Sequence, residues 1–360
     1  MALVPKHIKK LSSYIAGKPI DELKRELGLK KIVKLASNES PIGPSKKVID
    51  SVKKSLFKNH RYPDPIGHDL RLKLAQKHSV KIENVVLGAG SEGIMSVIMR
   101  TFLLPNDEII AAKNSFIGFR VLANASGIHT NWVDMKNYHY DLNAMAECIN
   151  EYTKVIYLAN PDNPTGTYFS IENFDDFMKK VPKRTIVILD EAYYEFASHE
   201  KNYPDSMNYR YDNVITLRTF SKAYGLAGFR IGYGFGHEDL IKNLLKVKLP
   251  FEPSLPAQVA GNTALNDVEY LNYILDINKT GKFFLYSELN SLGFNFIDSA
   301  TNFITITLKS QDEAKSIYFK LLKKGVIIRH LKSFGLPNCL RISIGTIEDN
   351  EFLIKNLKRI

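Results

Sequence analysis

Thr219, Ser221, Lys222 and Arg230 fall within one short stretch, RTFSKAYGLAGFRIGY (218–233). A lysine amine forms a Schiff base with an aldehyde if its pKa is lowered, and a cationic neighbour lowers it. Two hydroxyls and an arginine suit a phosphate. Thr219 and Ser221 lie two apart, so on an extended chain both hydroxyls face one side and Lys222 is expected to point the other way. Gly225 and Gly228 are read as permitting a sharp return toward Arg230. An isolated Ser-Lys pair would be only a polar strand end; the whole set is more than that.

Asp190 closes the apolar run TIVIL (185–189). A carboxylate at the carboxyl end of a buried strand sits where open α/β sheets place their ligands. In apolar surroundings it needs a cationic partner, and the pyridinium nitrogen of a cofactor is one. A helix cap or a structural ion pair is the plainer alternative. Asn163 is presented by NPDNPTG (160–166), whose two prolines and glycine fix a turn. GAGSEG (88–93) matches a dinucleotide-binding glycine pattern. The expected acid after a second strand is missing, because Asp107 and Glu108 precede the next apolar run. Ile94, Val97, Ile98, Thr101 and Phe102 predict a helix from about Ser91, whose first N–H groups suit an anion of any kind.

These residues need a frame. Short apolar runs at 84–88, 154–160, 184–190, 213–221 and 229–236 alternate with helical patterns such as 170–181, with Ser170 as N-cap. Several runs are continuously apolar, as strands covered on both faces are. The expected fold class is α/β: a large domain with a mostly parallel sheet flanked by helices, plus a smaller α+β C-terminal domain. A long helical pattern at 268–293 opens the second unit, placing the large domain at 41–265, the small one at 266–360 and an N-terminal arm, or part of the small domain, at 1–40.

The chain has 360 residues, 44% hydrophobic and 24% charged, enough for a sizeable core. Its two cysteines, Cys148 and Cys339, cannot build a disulfide framework and fit a reducing, cytoplasmic setting. The net charge is +11, but the lysines are spread along the chain. In the densest stretch (46–61), Val48, Val52 and Leu56 take helical spacing, so the lysines read as a wet face. None of the nine histidines has metal-ligand spacing, and no metal is expected.

Taken together, the motifs resemble the fold type I pyridoxal-phosphate aminotransferases, class II subgroup, over nearly the whole chain. Within that superfamily, SYIAGKPIDELKRELGLKKIVKLASNESPIGPS (13–45), RYPDPIG (61–67), TFSKAYGLAGFRIGY (219–233) and LRISIGT (340–346) are most similar to the histidinol-phosphate aminotransferases. The resemblance implies pyridoxal 5'-phosphate held as a Schiff base by Lys222, with Asp190 on the pyridinium nitrogen. It implies Asn163 and Tyr193 on the ring hydroxyl oxygen and Phe116 stacked on the ring. Backbone N–H groups of Gly90, Ser91 and Glu92, with Thr219, Ser221 and Arg230, would surround the phosphate. Tyr62 would reach the partner subunit's phosphate, which implies a homodimer with shared sites. Tyr14 and Asn38 would line the substrate pocket, and Arg329 and Arg341 would hold the anionic end.

The implied reaction is ping-pong transfer of the amino group of L-histidinol phosphate to 2-oxoglutarate, giving imidazole acetol phosphate and L-glutamate. Three positions depart from the family pattern: Ser40 for a second asparagine, GSEG for GSDE, and Phe116 for a tyrosine. An aromatic amino acid aminotransferase or a threonine-phosphate decarboxylase would share every cofactor residue. An NAD-dependent dehydrogenase and a nucleic-acid-binding protein are the rivals from other classes; neither nucleic acid nor membrane is an expected partner.

Overall fold

The computed structural model describes residues 3–11, 18–208 and 211–360. Seven strands form the main sheet: β1 (Val85–Gly88), β2 (Glu108–Ala112), β3 (His129–Val133), β4 (Thr153–Ala159), β5 (Ile186–Asp190), β6 (Val214–Thr219) and β7 (Gly232–Phe235). Their spatial order is β1–β7–β6–β5–β4–β2–β3. Only β7 runs antiparallel to its neighbours, β6 and β1. The remaining neighbours pair in parallel, as the sequence predicts.

The apolar runs are continuous because both faces of the sheet are covered. Val155, Tyr157, Ile186 and Ile188 pack with Ile94 and Phe119 on one face. Ile156, Leu158, Val187 and Leu189 pack with Met145, Phe174 and Phe177 on the other. That alternation is the period of two of a strand. Strand β3 was not among the expected runs. It sits at the sheet edge and none of its residues is fully buried, so HTNWV lacks the continuous apolar signature.

Local signals place the helix starts. Ser170 accepts the N–H of Asn173 and opens Ile171–Met178; Ser310 and Thr346 cap two later helices in the same way. The lysine-rich helix covers Lys46–Ser55, capped by Ser45, with Val48 buried. Leu56 departs from expectation: the chain tightens there into a 3-10 turn, which rotates Leu56 off the apolar face and leaves it 53% exposed.

A second, antiparallel sheet contains β8 (Asn295–Ile297), β9 (Phe303–Thr307), β10 (Arg329–His330) and β11 (Cys339–Ser343), in the order β10–β11–β9–β8. It packs a core of its own with the helices Val268–Ser291, Gln311–Lys323 and Ile347–Leu357. Val33–Lys34 pairs in parallel with Val326–Ile327, and Val33 and Leu35 join that core. Ser37 and Glu39 thereby line one cavity with Ala159, Asp190 and Thr219, the last residues of β4, β5 and β6.

Candidate active site

Parallel strands in register carry their last residues to one edge of the sheet. Ala159 lies opposite Asp190, and Asp190 opposite Leu217, two residues before Thr219. A cavity opens there, and Asn163, Asp190, Thr219, Ser221, Lys222 and Arg230 all line it.

At one end the residues suit a phosphate. Gly90 takes φ +75, and the Arg230 guanidinium occupies the space a side chain would need, with Nη2 2.8 Å from the position of a Cβ. The helix Gly90–Phe102 begins at this point with no side-chain cap, so the N–H groups around Ser91 and Glu92 have no side-chain cap partner. Thr219 Oγ1 donates to Ser221 Oγ at 3.0 Å, and Arg230 Nη1 donates to the same Ser221 Oγ at 3.4 Å. The expected divergence of Lys222 from the two hydroxyls is not observed. Strand β6 ends at Thr219, so strand alternation no longer governs the next residues, and Lys222 lines the same cavity. Of the two glycines, only Gly225 (φ +69) takes a left-handed conformation; a Cβ there would lie 2.4 Å from the Gly43 carbonyl. Gly228 needs no such freedom, and Arg230 itself adopts φ +53.

At the other end stand the charged groups of a ring site. Asp190 Oδ2 accepts from the Tyr157 hydroxyl at 2.9 Å. Its Oδ1 is buried and makes no hydrogen bond within the protein, although the Ala192 N–H helps to hold the carboxylate charged. Burial pushes the Asp190 carboxyl up to about 7, against the opposing pull of Tyr157 and Lys222. A buried carboxylate with one oxygen unpartnered calls for a cationic N–H. Lys222 is brought down to about 8, first by burial, then by Arg341 and Arg230, with Glu39 acting in the opposite sense. Its Nζ lies 5.5 Å from the centre of the Tyr193 ring.

Around these groups the wall is built by packing. Gly118 is closely packed: a Cβ there would lie 2.5 Å from both Glu92 Oε1 and the Phe116 ring. Both side chains therefore reach the cavity. Asn163 Oδ1 accepts from Arg341 Nη1, and Arg341 Nη2 donates to the Ala36 carbonyl at 2.8 Å. Arg329 lies opposite Arg341 across β10 and β11, and Phe334 packs under both guanidinium groups.

Asn38 is buried, with Nδ2 donating to the Tyr193 hydroxyl at 2.9 Å, while its neighbours Ser37 and Glu39 line the cavity. Tyr62 is 81% exposed and stacks on Phe251, 4.3 Å between ring centres. Tyr14 lies outside the described residues. Tyr157, Glu39 and Ser343 were not among the expected residues. Tyr157 sits inside an apolar strand run, and the partners of Ser343 are 305 residues away, so no local pattern marks them.

The family model described as "Aminotransferase class I and II" matches residues 30–357. The chain is 39% identical to "Histidinol-phosphate aminotransferase 2" of Carboxydothermus hydrogenoformans, covering 99% of each chain. It is also 39% identical to the histidinol-phosphate aminotransferase of Moorella thermoacetica, over 100% of this chain and 94% of that one. Among solved structures, the histidinol-phosphate aminotransferase of Sinorhizobium meliloti, in complex with pyridoxal-5'-phosphate, superposes with a TM-score of 0.91 at 27% identity. That match covers 100% of this chain and 97% of the other. A cavity that gathers a buried lysine, a half-satisfied carboxylate and residues that suit a phosphate is thus found in a chain that belongs to the class I and II aminotransferase family.

Proposed function

We propose that this chain transfers the amino group of L-histidinol phosphate to 2-oxoglutarate, with pyridoxal 5'-phosphate bound through Lys222. The observation that carries the proposal is the convergence of Lys222, Asp190 and the phosphate cradle in one cavity. The full-length relatives named for this activity support the substrate.

The residues fit the cofactor. Asp190 Oδ1, buried and unpartnered in the protein, suits a pyridinium N–H. Asn163 and Tyr193 suit the ring oxygen, and Phe116 the ring face. Gly90, Ser91, Glu92, Thr219, Ser221 and Arg230 suit the phosphate. When bound, the cofactor supplies an electron sink that makes the substrate's α C–H acidic. Lys222 Nζ, whose pKa burial and two arginines bring down to about 8 so that a fraction of the amine is uncharged at physiological pH, takes up that proton and gives it back. Asp190 keeps a proton on the ring nitrogen. Arg341 and Arg329, with planar forked donors, grip the anionic end of the substrate. We assign the phosphate and ring contacts to residues 41–265 and the arginines to residues 266–360, with Val33 and Leu35 of the 1–40 segment packed into the core of the C-terminal unit.

We also propose a homodimer. Leu56, Phe57 and Tyr62 are exposed at 53%, 87% and 81%, and Leu249 and Phe251 at 51% and 39%. The two segments lie together, through Lys248 Nζ to the Pro65 carbonyl and Tyr62 on Phe251. A contiguous apolar face of this kind favours a partner. Tyr62 would then serve the partner's phosphate, in a cytoplasmic enzyme.

The test is a half-reaction titration of the cofactor-loaded protein, followed by its visible spectrum. L-Histidinol phosphate, L-phenylalanine and L-threonine phosphate are compared under one set of conditions. Histidinol phosphate should bleach the yellow band with the highest kcat/KM, and Lys222→Ala should abolish the response. A much higher kcat/KM for phenylalanine would overturn the substrate.

A further inference from the structure

We propose that Ser343 is a positioning residue: acting through the amide of Asn38, it sets the direction in which the Tyr193 hydroxyl points its proton. The proposal rests on Tyr193 as the partner of the cofactor's ring oxygen.

The hydrogen bonds around Asn38 have a single consistent polarity. Ser343 Oγ accepts the backbone N–H of Asn38 at 2.8 Å. Its own proton goes to Asn38 Oδ1 at 2.9 Å. The amide is thereby turned so that Nδ2 donates to the Tyr193 hydroxyl oxygen at 2.9 Å. A tyrosine hydroxyl carries one proton. With its oxygen accepting from Asn38, that proton is left for an acceptor in the cavity. Ser343 and Asn38 are 4% and 1% exposed, so water does not compete for these bonds.

The opposite arrangement of the amide is the costly one. Flipping Asn38 would make Ser343 Oγ accept twice and strip its buried proton of this acceptor. The backbone of Asn38 is pinned as well. It adopts φ 55, and Asn302 Nδ2 donates to its carbonyl at 3.0 Å. Ser343 is anchored in turn on β11, donating its own N–H to the Leu35 carbonyl at 2.9 Å. Arg341, Asp190, Asp162 and Lys222 are the charged groups facing Tyr193. Burial pushes the Tyr193 hydroxyl up to about 12, so it remains a donor at neutral pH.

The holoenzyme is titrated with alkali while the visible band of its bound cofactor is followed. A hydrogen bond donated to the ring oxygen favours its negative form and so lowers the pH at which the chromophore gives up its proton. Tyr193→Phe should raise that midpoint by about one pH unit. Ser343→Ala should move it the same way, Ser343→Thr should restore it, and the double variant should match Tyr193→Phe alone. A Ser343→Ala protein that melts earlier but keeps the wild-type midpoint overturns the proposal while Tyr193 keeps its role. An unmoved midpoint in Tyr193→Phe removes the role of Tyr193 and the proposal with it. If Ser343→Ala does not fold, Ser343→Cys keeps the volume with a weaker donor and must give the same upward shift.

Discussion

Lys222 has its chemistry set by its surroundings. Only the neutral amine attacks an aldehyde, and its folded pKa is brought down to about 8 by burial and by Arg341. Below that value the neutral fraction falls about tenfold per pH unit. The apo-protein should therefore capture pyridoxal phosphate faster as pH rises from 6 toward 8, then level off. Stopped-flow absorbance checks this. A rate still climbing steeply near pH 10 would show a lysine at its ordinary pKa. Lys222, Asp190 and Asn163 were legible in the sequence because each sits in a short motif with its own neighbours. Tyr157 and Ser343 were not, because their partners come from other elements, 33 and 305 residues away.

The elements hold the site by contacts that leave no slack. Strand β7 passes so close to the glycine turn that a Cβ on Gly232 would lie 2.5 Å from the Ser91 nitrogen and 2.6 Å from the Gly90 carbonyl carbon. Backbone cannot step aside as a side chain can, so overpacking of about 1–3 kcal/mol falls on the Gly90–Ser91 turn. Gly232→Ala should weaken cofactor binding by about tenfold or more, measured by equilibrium titration of the apo-protein. Beside it, Arg218 on β6 braces the end of β5. It is 1% exposed, its Nε donates to the fully buried Glu191 at 2.8 Å, its Nη2 donates to Asp205 at 2.9 Å, and it lies over the Tyr194 ring. Arg218→Ala leaves Glu191 as an uncompensated buried charge and should cost about 3–5 kcal/mol in denaturant unfolding. The apolar runs announced β1, β4, β5, β6 and β7. The edge strand β3 escaped, because a half-covered strand has no continuous apolar signature.

At the scale of the molecule, the exposed face around Phe57, Tyr62 and Phe251 is the largest consequence of the dimer proposal. Phe57→Glu places a charge in that face, which should shift the protein to monomer in sedimentation velocity. Cofactor retention should fall with it, since Tyr62 would no longer serve the partner's phosphate. A variant that stays dimeric and fully active would locate the interface elsewhere. The net charge of +11 needs no nucleic acid to account for it. Lysines of the 46–55 helix lie on its solvent side, with Val48 turned inward.

The sequence by itself determined the fold class, the strand ends that carry Asp190 and Thr219, and the motifs that carry Lys222, Arg230 and Gly90 to one cavity. Those signals are local: strand period, turn chemistry and residues a few positions apart. Tertiary structure alone decided the charge states and orientations. Lys222 turns into the cavity because β6 ends before it. Its pKa falls because the fold buries it and because Arg341 arrives from a separate sheet. Tyr193 receives its hydrogen bond because Val33–Lys34 pairs with Val326–Ile327 and sets Asn38 between Ser343 and the tyrosine. Burial and long-range register create those effects, and neither is written in the spacing of neighbouring residues.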